Sequence, residues 1–207
     1  MATINVDQLA LTSVTDLSEG GLANCYIVEQ GSAAKNYSFT ARKINGTENI
    51  ANVAYAHLTW AESKDLIGSV NYDAATGKVS FTYKGGNVEG NASIAVFSAA
   101  GAQLWTWHIW CTDKPELLKV CKVNATQIYG IQDRNLGATY TPKTVGEATG
   151  ISEKDATASV GLYYQYGRPT PYPRVRSIKT TSEATAFSKS TTTCDVMYGF
   201  RAWNQDF

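Results

Sequence analysis

Leu104-Trp105-Thr106-Trp107-His108-Ile109-Trp110 carries three of the chain's 5 tryptophans and one of its 2 histidines. On an extended backbone, successive side chains point to opposite faces. Leu104, Thr106, His108 and Trp110 then share one face, and Trp105, Trp107 and Ile109 share the other. Both faces are bulky and nearly apolar, which is the pattern of a central strand covered on both sides. Gly101 before the run, Pro115 after it and the excess of β-forming residues argue against a helix. The same seven residues raise a functional question, because tryptophan beside histidine also suits a ligand site.

Working outward, short β-like runs alternate with turn signals from Ala23 to Thr112. The runs are Asn24–Val28, Tyr37–Arg42, Val53–Trp60, Ser69–Tyr72, Val79–Tyr83, Ala92–Phe97 and Leu104–Trp110. Between them lie Gly31-Ser32, Asn45-Gly46, Gly68, Ala75-Thr76-Gly77, Gly85-Gly86-Asn87 and Ala99-Ala100-Gly101. Val79, Phe81 and Tyr83 alternate with Ser80, Thr82 and Lys84, giving one dry and one wet face. Strands at this spacing are the pattern of an immunoglobulin-like β-sandwich, expected over residues 20–112. Glu62–Ile67 is long enough for one helical turn and no more.

On either side the character changes. Residues 1–19 read as an extended N-terminal arm closed by Ser18-Glu19-Gly20-Gly21, able to add a strand to a neighbour or to lie loose. Asp113–Lys119 is polar, contains Pro115 and reads as the link to a second unit over residues 113–207. In that unit Gln127–Gln132 is plausible β and Asp133-Arg134-Asn135-Leu136-Gly137-Ala138 a turn. Tyr140–Gly150 reads as loop, and Ser152 as the cap of a short helix. The Thr/Ser-rich stretch from Lys179 to Thr193 also reads as loop. The expected class is mainly β, a sandwich followed by a smaller, irregular α+β unit.

Charged residues make up 17% of the 207, with Lys+Arg and Asp+Glu balanced at 18 each, which gives no electrostatic reason to expect nucleic acid or an anionic membrane. No apolar stretch approaches the ~20 residues of a membrane span. Met1 to Ala10 has no basic region followed by an apolar run, so no secretory leader is expected. The 4 cysteines, Cys25, Cys111, Cys121 and Cys194, include no C-x-x-C pair, so no zinc site is expected. Cys111 and Cys121 bracket a turn-forming stretch and could pair, or all four could be buried free thiols.

Several stretches together resemble a family. Asp16-Leu17-Ser18, then Ala23-Asn24-Cys25-Tyr26-Ile27-Val28, looks like the opening of a domain common in Bacteroidetes surface and fimbrillin-like proteins. Gly90–Ala95 and Leu104–Trp110 are similar to its later strands. Asp133–Ala138, and Gly161-Leu162-Tyr163-Tyr164-Gln165-Tyr166-Gly167-Arg168 with Pro171, resemble the start of the Fibrobacter-type major paralogous domain, which is related to C-type-lectin-like folds. The resemblance spans roughly residues 16–172. It implies a non-enzymatic extracellular adhesion or structural protein, needing no cofactor, at the tip of a pilus, on a cell surface or on a phage virion. The leaderless start favours a virion fibre or decoration. The chain stops inside the lectin-like unit, so the polypeptide is expected to continue past Phe207. Expected partners are other subunits of the same appendage, in a homo-oligomer, and a host-surface glycan or protein.

Each chemistry-bearing residue also has a packing role available. His108 has no acid or nucleophile beside it in sequence, so a hydrogen-bonded core histidine is the expectation, and a hydrolase using a distant carboxylate the remote rival. His57 is expected at the periphery. Trp105 and Trp110 could stack on sugar rings, as in a carbohydrate-binding module, or pack against the neighbouring layer. Adjacent Asp133 and Arg134 would face opposite ways in a strand and so not pair, Asp133 instead accepting backbone N–H bonds. Glu153 and Asp155 read as a solvated helix start, and the sequons at Asn36, Asn45, Asn91 and Asn124 as chance matches. Tyr163, Tyr164, Tyr166 and Arg168 are the best contact candidates, since tyrosine and arginine combine large area with polar tips. No catalytic and no metal-binding residue is expected.

Overall fold

In this computed structural model, residues 14–18, 24–43, 48–113, 115, 117–122, 128–142, 150–164 and 169–173 are described. The expected 1–13 part of the arm, the 179–193 loop, Cys194, Tyr166, Arg168 and the C-terminal end lie outside them.

The molecule is mainly β, and all seven expected runs are strands. In chain order the strands are β1 (Val14–Asp16), β2 (Cys25–Glu29), β3 (Lys35–Thr40), β4 (Arg42–Lys43), β5 (Glu48–Asn49), β6 (Tyr55–Ala61), β7 (Ile67–Asp73), β8 (Lys78–Tyr83), β9 (Gly90–Phe97) and β10 (Gln103–Thr112). They are followed by β11 (Leu117–Lys122), β12 (Ile128–Gln132) and the helix α1 (Glu153–Ser159). Two four-stranded sheets form, ordered β1-β3-β8-β7 and β2-β10-β9-β6. β1 runs parallel to β3 and β2 parallel to β10, while the other pairings are antiparallel.

The inner faces of both sheets meet in one core. Tyr26, Ile94, Val96, Trp107 and Ile109 come from one sheet; Tyr37, Phe39, Val79, Phe81 and Tyr83 come from the other. Aromatic rings join the layers: Tyr26 stacks on Phe39 at 4.5 Å, and Phe39 meets Trp107 edge-on at 4.9 Å. The alternation in Val79–Tyr83 is realised, with Val79, Phe81 and Tyr83 buried between partly exposed neighbours. Tyr83 reaches across the layer to donate its hydroxyl to the Val88 carbonyl at 3.0 Å.

One local expectation is corrected and two readings left open are decided. Of the arm, Val14–Asp16 adds a strand to the sandwich: Val14 to Asp16 pair with Asn36 to Ser38, and Ser18 Oγ accepts the Thr40 amide. The stretch expected to be a polar link contains the start of β11, which pairs antiparallel with β12, because Leu117, Leu118 and Val120 supply strand-forming residues directly after Pro115. Cys111 is a free thiol buried in the core, so the Cys111–Cys121 disulfide is not formed. The cap was read correctly: Ser152 Oγ accepts the Asp155 amide at the start of α1.

Strand β10 is covered on both faces, as its composition demanded. Trp107, Ile109 and Cys111 face the sandwich core. Thr106, His108, Trp110 and Thr112 point the other way and are also buried, within 1% of fully. Asn91 and Ser93 of β9, opposite Trp110 and His108, share that outer face and are fully buried. The cover comes from beyond β12: Trp110 Nε1 donates to the Ala138 carbonyl at 3.1 Å, and Asn91 Nδ2 donates to the Gly137 carbonyl at 2.8 Å.

Candidate functional site

A group of polar side chains lies on this outer face, centred on His108. The parallel pairing of β2 with β10 sets Cys25 beside His108, and the antiparallel β9 brings Asn91 to its other side. Cys25 Sγ lies 3.2 Å and the Tyr164 hydroxyl 2.9 Å from His108 Nδ1, while Asn91 Oδ1 lies 2.8 Å from Nε2. Behind Asn91, Glu62 Oε2 accepts both the Asn91 backbone amide and Nδ2, each at 2.9 Å.

These contacts fix the protons. Asn91 Nδ2 has two hydrogens, and both are used, on Glu62 and on the Gly137 carbonyl. Asn91 Oδ1 is therefore the end that meets His108, and it can only accept. His108 thus carries its proton on Nε2, leaving a lone pair on Nδ1. That lone pair has two candidate donors, the Cys25 thiol and the Tyr164 hydroxyl. Burial without a facing carboxylate pushes the His108 pKa down to about 3, so the ring is neutral. Burial also raises the Cys25 thiol to about 12 and holds the Tyr164 phenol well above its ordinary range.

The expectation of a hydrogen-bonded core histidine is met, and His108 is 1% exposed. His57 is exposed, as expected. The sugar platform is not assembled. Trp110 is fully buried with its ring stacked on His108, while Trp105 lies on the other side of the strand with its indole donating to Asn24 Oδ1. Lys43 Nζ sits 5.6 Å over the Trp105 ring. Asn91 is buried, so its sequon is not open to a glycan.

Asp133 and Arg134 differ from expectation. They follow the end of β12 in a bend rather than a strand, so the guanidinium turns back on its neighbour. Arg134 Nε and Nη2 donate to the two Asp133 carboxylate oxygens at 3.0 and 2.6 Å. Nη1 donates to Asp113 Oδ1, just after β10. The Arg134 side chain is only 4% exposed, and the paired carboxylates raise its pKa further. Arg134 therefore ties the bend to the end of the central strand. The next residues make the expected turn: the Ala138 amide donates to the Asn135 carbonyl, with Gly137 at φ 88°.

Of the four contact candidates, two are described. Tyr163 pairs with Tyr172 through two backbone hydrogen bonds and leaves its side chain 48% exposed. Tyr164 shows a 44% exposed surface, but its hydroxyl end is committed to His108. The sequence reading missed Cys25, Asn91, Glu62 and Tyr164 as one group, because the pairing that joins Cys25 to His108 spans 83 residues. Among the described residues, no group of three or more His, Cys, Asp or Glu is placed to hold a metal, and no helix is long and apolar enough to cross a membrane. No protein-family model, curated protein or solved structure matches the chain.

Proposed function

We propose that this protein is a non-catalytic structural and adhesive module of an extracellular appendage, a phage virion fibre or decoration, or a bacterial pilus or surface adhesin. Its strand order supports an immunoglobulin-like sandwich: β3-β8-β7 and β10-β9-β6 follow the B-E-D and G-F-C orders of that fold, while β1 departs from its strand A by running parallel to β3. The resemblance of Asp133–Ala138 and Gly161–Arg168 to the start of a lectin-like domain supports the second unit. Within the appendage the chain would meet further copies and, through its exposed tyrosines, a glycan or protein of the host surface.

One observation carries this reading. The polar groups best suited to chemistry join the segment after β12 to the sandwich. Asn91 holds the Gly137 carbonyl, Trp110 holds Ala138, Tyr164 holds His108, and Arg134 holds Asp113. A neutral, buried histidine in such a seam favours rigidity over turnover. Rigidity with an exposed aromatic rim suits a protein that works by contact.

Immunogold electron microscopy of virions and sheared surface filaments from the producing culture tests the proposal. Label along fibres or filaments is expected. Label confined to the cell interior, with unlabelled particles and filaments, contradicts it.

A further inference from the structure

The two four-stranded sheets have four edges, and three of them are blunted against further pairing. β1 is only three residues long and ends in the Asp16–Lys78 ion pair, while β6 and β7 are each broken by a register shift against the neighbouring strand. β2 is different. It runs Cys25-Tyr26-Ile27-Val28-Glu29 in unbroken register with β10, and carries neither proline nor a basic residue.

The pairing geometry shows which backbone groups are left over. The His108 amide donates to the Asn24 carbonyl, and the Gln30 amide donates to the Thr112 carbonyl. In a parallel pair the residues that bond to one neighbour alternate along the strand, so Asn24, Tyr26, Val28 and Gln30 turn their N–H and C=O toward β10. Cys25, Ile27 and Glu29 turn theirs to the free edge, where no hydrogen bond from another described residue meets them. The same three residues put their side chains on the outer face, since Tyr26 and Val28 face the core. Ile27, at the centre, is 40% exposed.

We infer that β2 is a contact between two copies of this chain, paired antiparallel and edge to edge about a two-fold axis at Ile27. The strand is complementary to itself in that register, and this selects the occupant. Ile27 meets the partner's Ile27, which joins two partly exposed apolar side chains. Glu29, the one charge on the strand, meets the neutral Cys25 of the partner subunit and lies about 14 Å along the strand from the partner's Glu29. Each of these opposed pairs exchanges both of its hydrogen bonds, so every leftover N–H and C=O finds a partner. A parallel pairing in register would instead set the two glutamates side by side. The antiparallel contact merges the two β2-β10-β9-β6 sheets into one. It stands whether or not the chain belongs to an appendage.

The test is sedimentation equilibrium of the full chain under reductant, so that no intermolecular disulfide stands in for the pairing. The native chain is expected to approach twice its 22.4 kDa mass as concentration rises, with a Kd on the order of 100 µM for so small a contact. Ile27→Lys and Ile27→Glu each set like charges opposite one another across the axis, and each is expected to weaken the dimer by about tenfold or more. Mixed in equal amounts, the two variants are expected to recover it, because residue 27 of one copy then meets the opposite charge on the other. Should neither variant fold, hydrogen exchange of the native chain decides. The Ile27 amide is expected to gain protection with concentration, while the Tyr26 amide, bonded to β10, is protected throughout. A native chain that stays monomeric at about 1 mM overturns the inference. So do a dimer that Ile27→Lys leaves intact, a mixture of variants that stays monomeric, and an Ile27 amide protected at every dilution, which would mean that the edge is covered within one chain.

Discussion

At the scale of single residues, His108 shows how burial sets chemistry. An ordinary histidine titrates near 6.5, yet here the charged form has no carboxylate to meet and no water to solvate it. The folded state therefore binds its proton only near pH 3, whereas the unfolded chain binds it near 6.5. Between those values the unfolded state holds more protons, so stability rises with pH and is lost as pH falls through the window. The expected slope is up to about 1.4 kcal/mol per pH unit, measured by urea unfolding at successive pH values, and it should vanish in His108→Gln. Asp16, held down to about 2 mainly by Lys78, acts in the same direction but only below its ordinary carboxylate range. Asn91→Ala removes the partner of His108 Nε2 and the side-chain donor to both Glu62 and the Gly137 carbonyl, leaving Glu62 the backbone amide of residue 91. A loss of about 2–4 kcal/mol is expected in the same assay. A loss under about 1 kcal/mol would mean that water replaces the amide freely.

At the scale of elements, β10 was legible because its composition answers the question directly. Trp107 is buried in the core with its ring edge-on to Phe39, and Trp107→Ala is expected to cost about 3–5 kcal/mol, read from the unfolding midpoint. The alternation in Val79–Tyr83 gave β8 for the same reason. The far partners were not legible. Nothing local tells that Cys25 lies beside His108, since a parallel pairing leaves no turn signature between its strands. Asp133 and Arg134 were misread because strand geometry was used to exclude their pairing inside a stretch already read as a turn, whereas in the bend the guanidinium turns back onto both Asp133 carboxylate oxygens. The turn after them was legible from Asn135 and Gly137, though not its role. A Cβ on Gly137 would come within 2.6 Å of Leu162 Cγ, and its φ of 88° disfavours any side chain. Gly137→Ala should therefore loosen the turn at residues 135–138 from the sheet. The expected sign is a red shift of tryptophan emission, as Trp110 loses its cover, before any loss of the far-ultraviolet β signal.

At the scale of the whole molecule, the sandwich is one layer pair and the segment after β12 a third layer on its outer face. This explains how a strand can carry tryptophan on both sides without exposing it. It also leaves Tyr163 exposed at the rim with its backbone held to Tyr172, the contact that the proposed adhesive function uses. Tyr163→Ala is expected to leave the melting temperature unchanged within about 1 °C, because the side chain is largely outside the core. The same variant should weaken attachment to host cells in a pull-down of labelled protein. Unchanged attachment would move the contact surface elsewhere on the rim. All of this depends on the outer face of β10 being closed. NMR-detected hydrogen exchange of the Trp110 indole N–H, compared with the β10 backbone amides, tests that most directly. The predicted result is protection equal to that of the slowest β10 amides, because Trp110 opens only when the molecule unfolds. Exchange of the indole thousands of times faster than those amides would contradict it, since the third layer would then not be seated on the sheet.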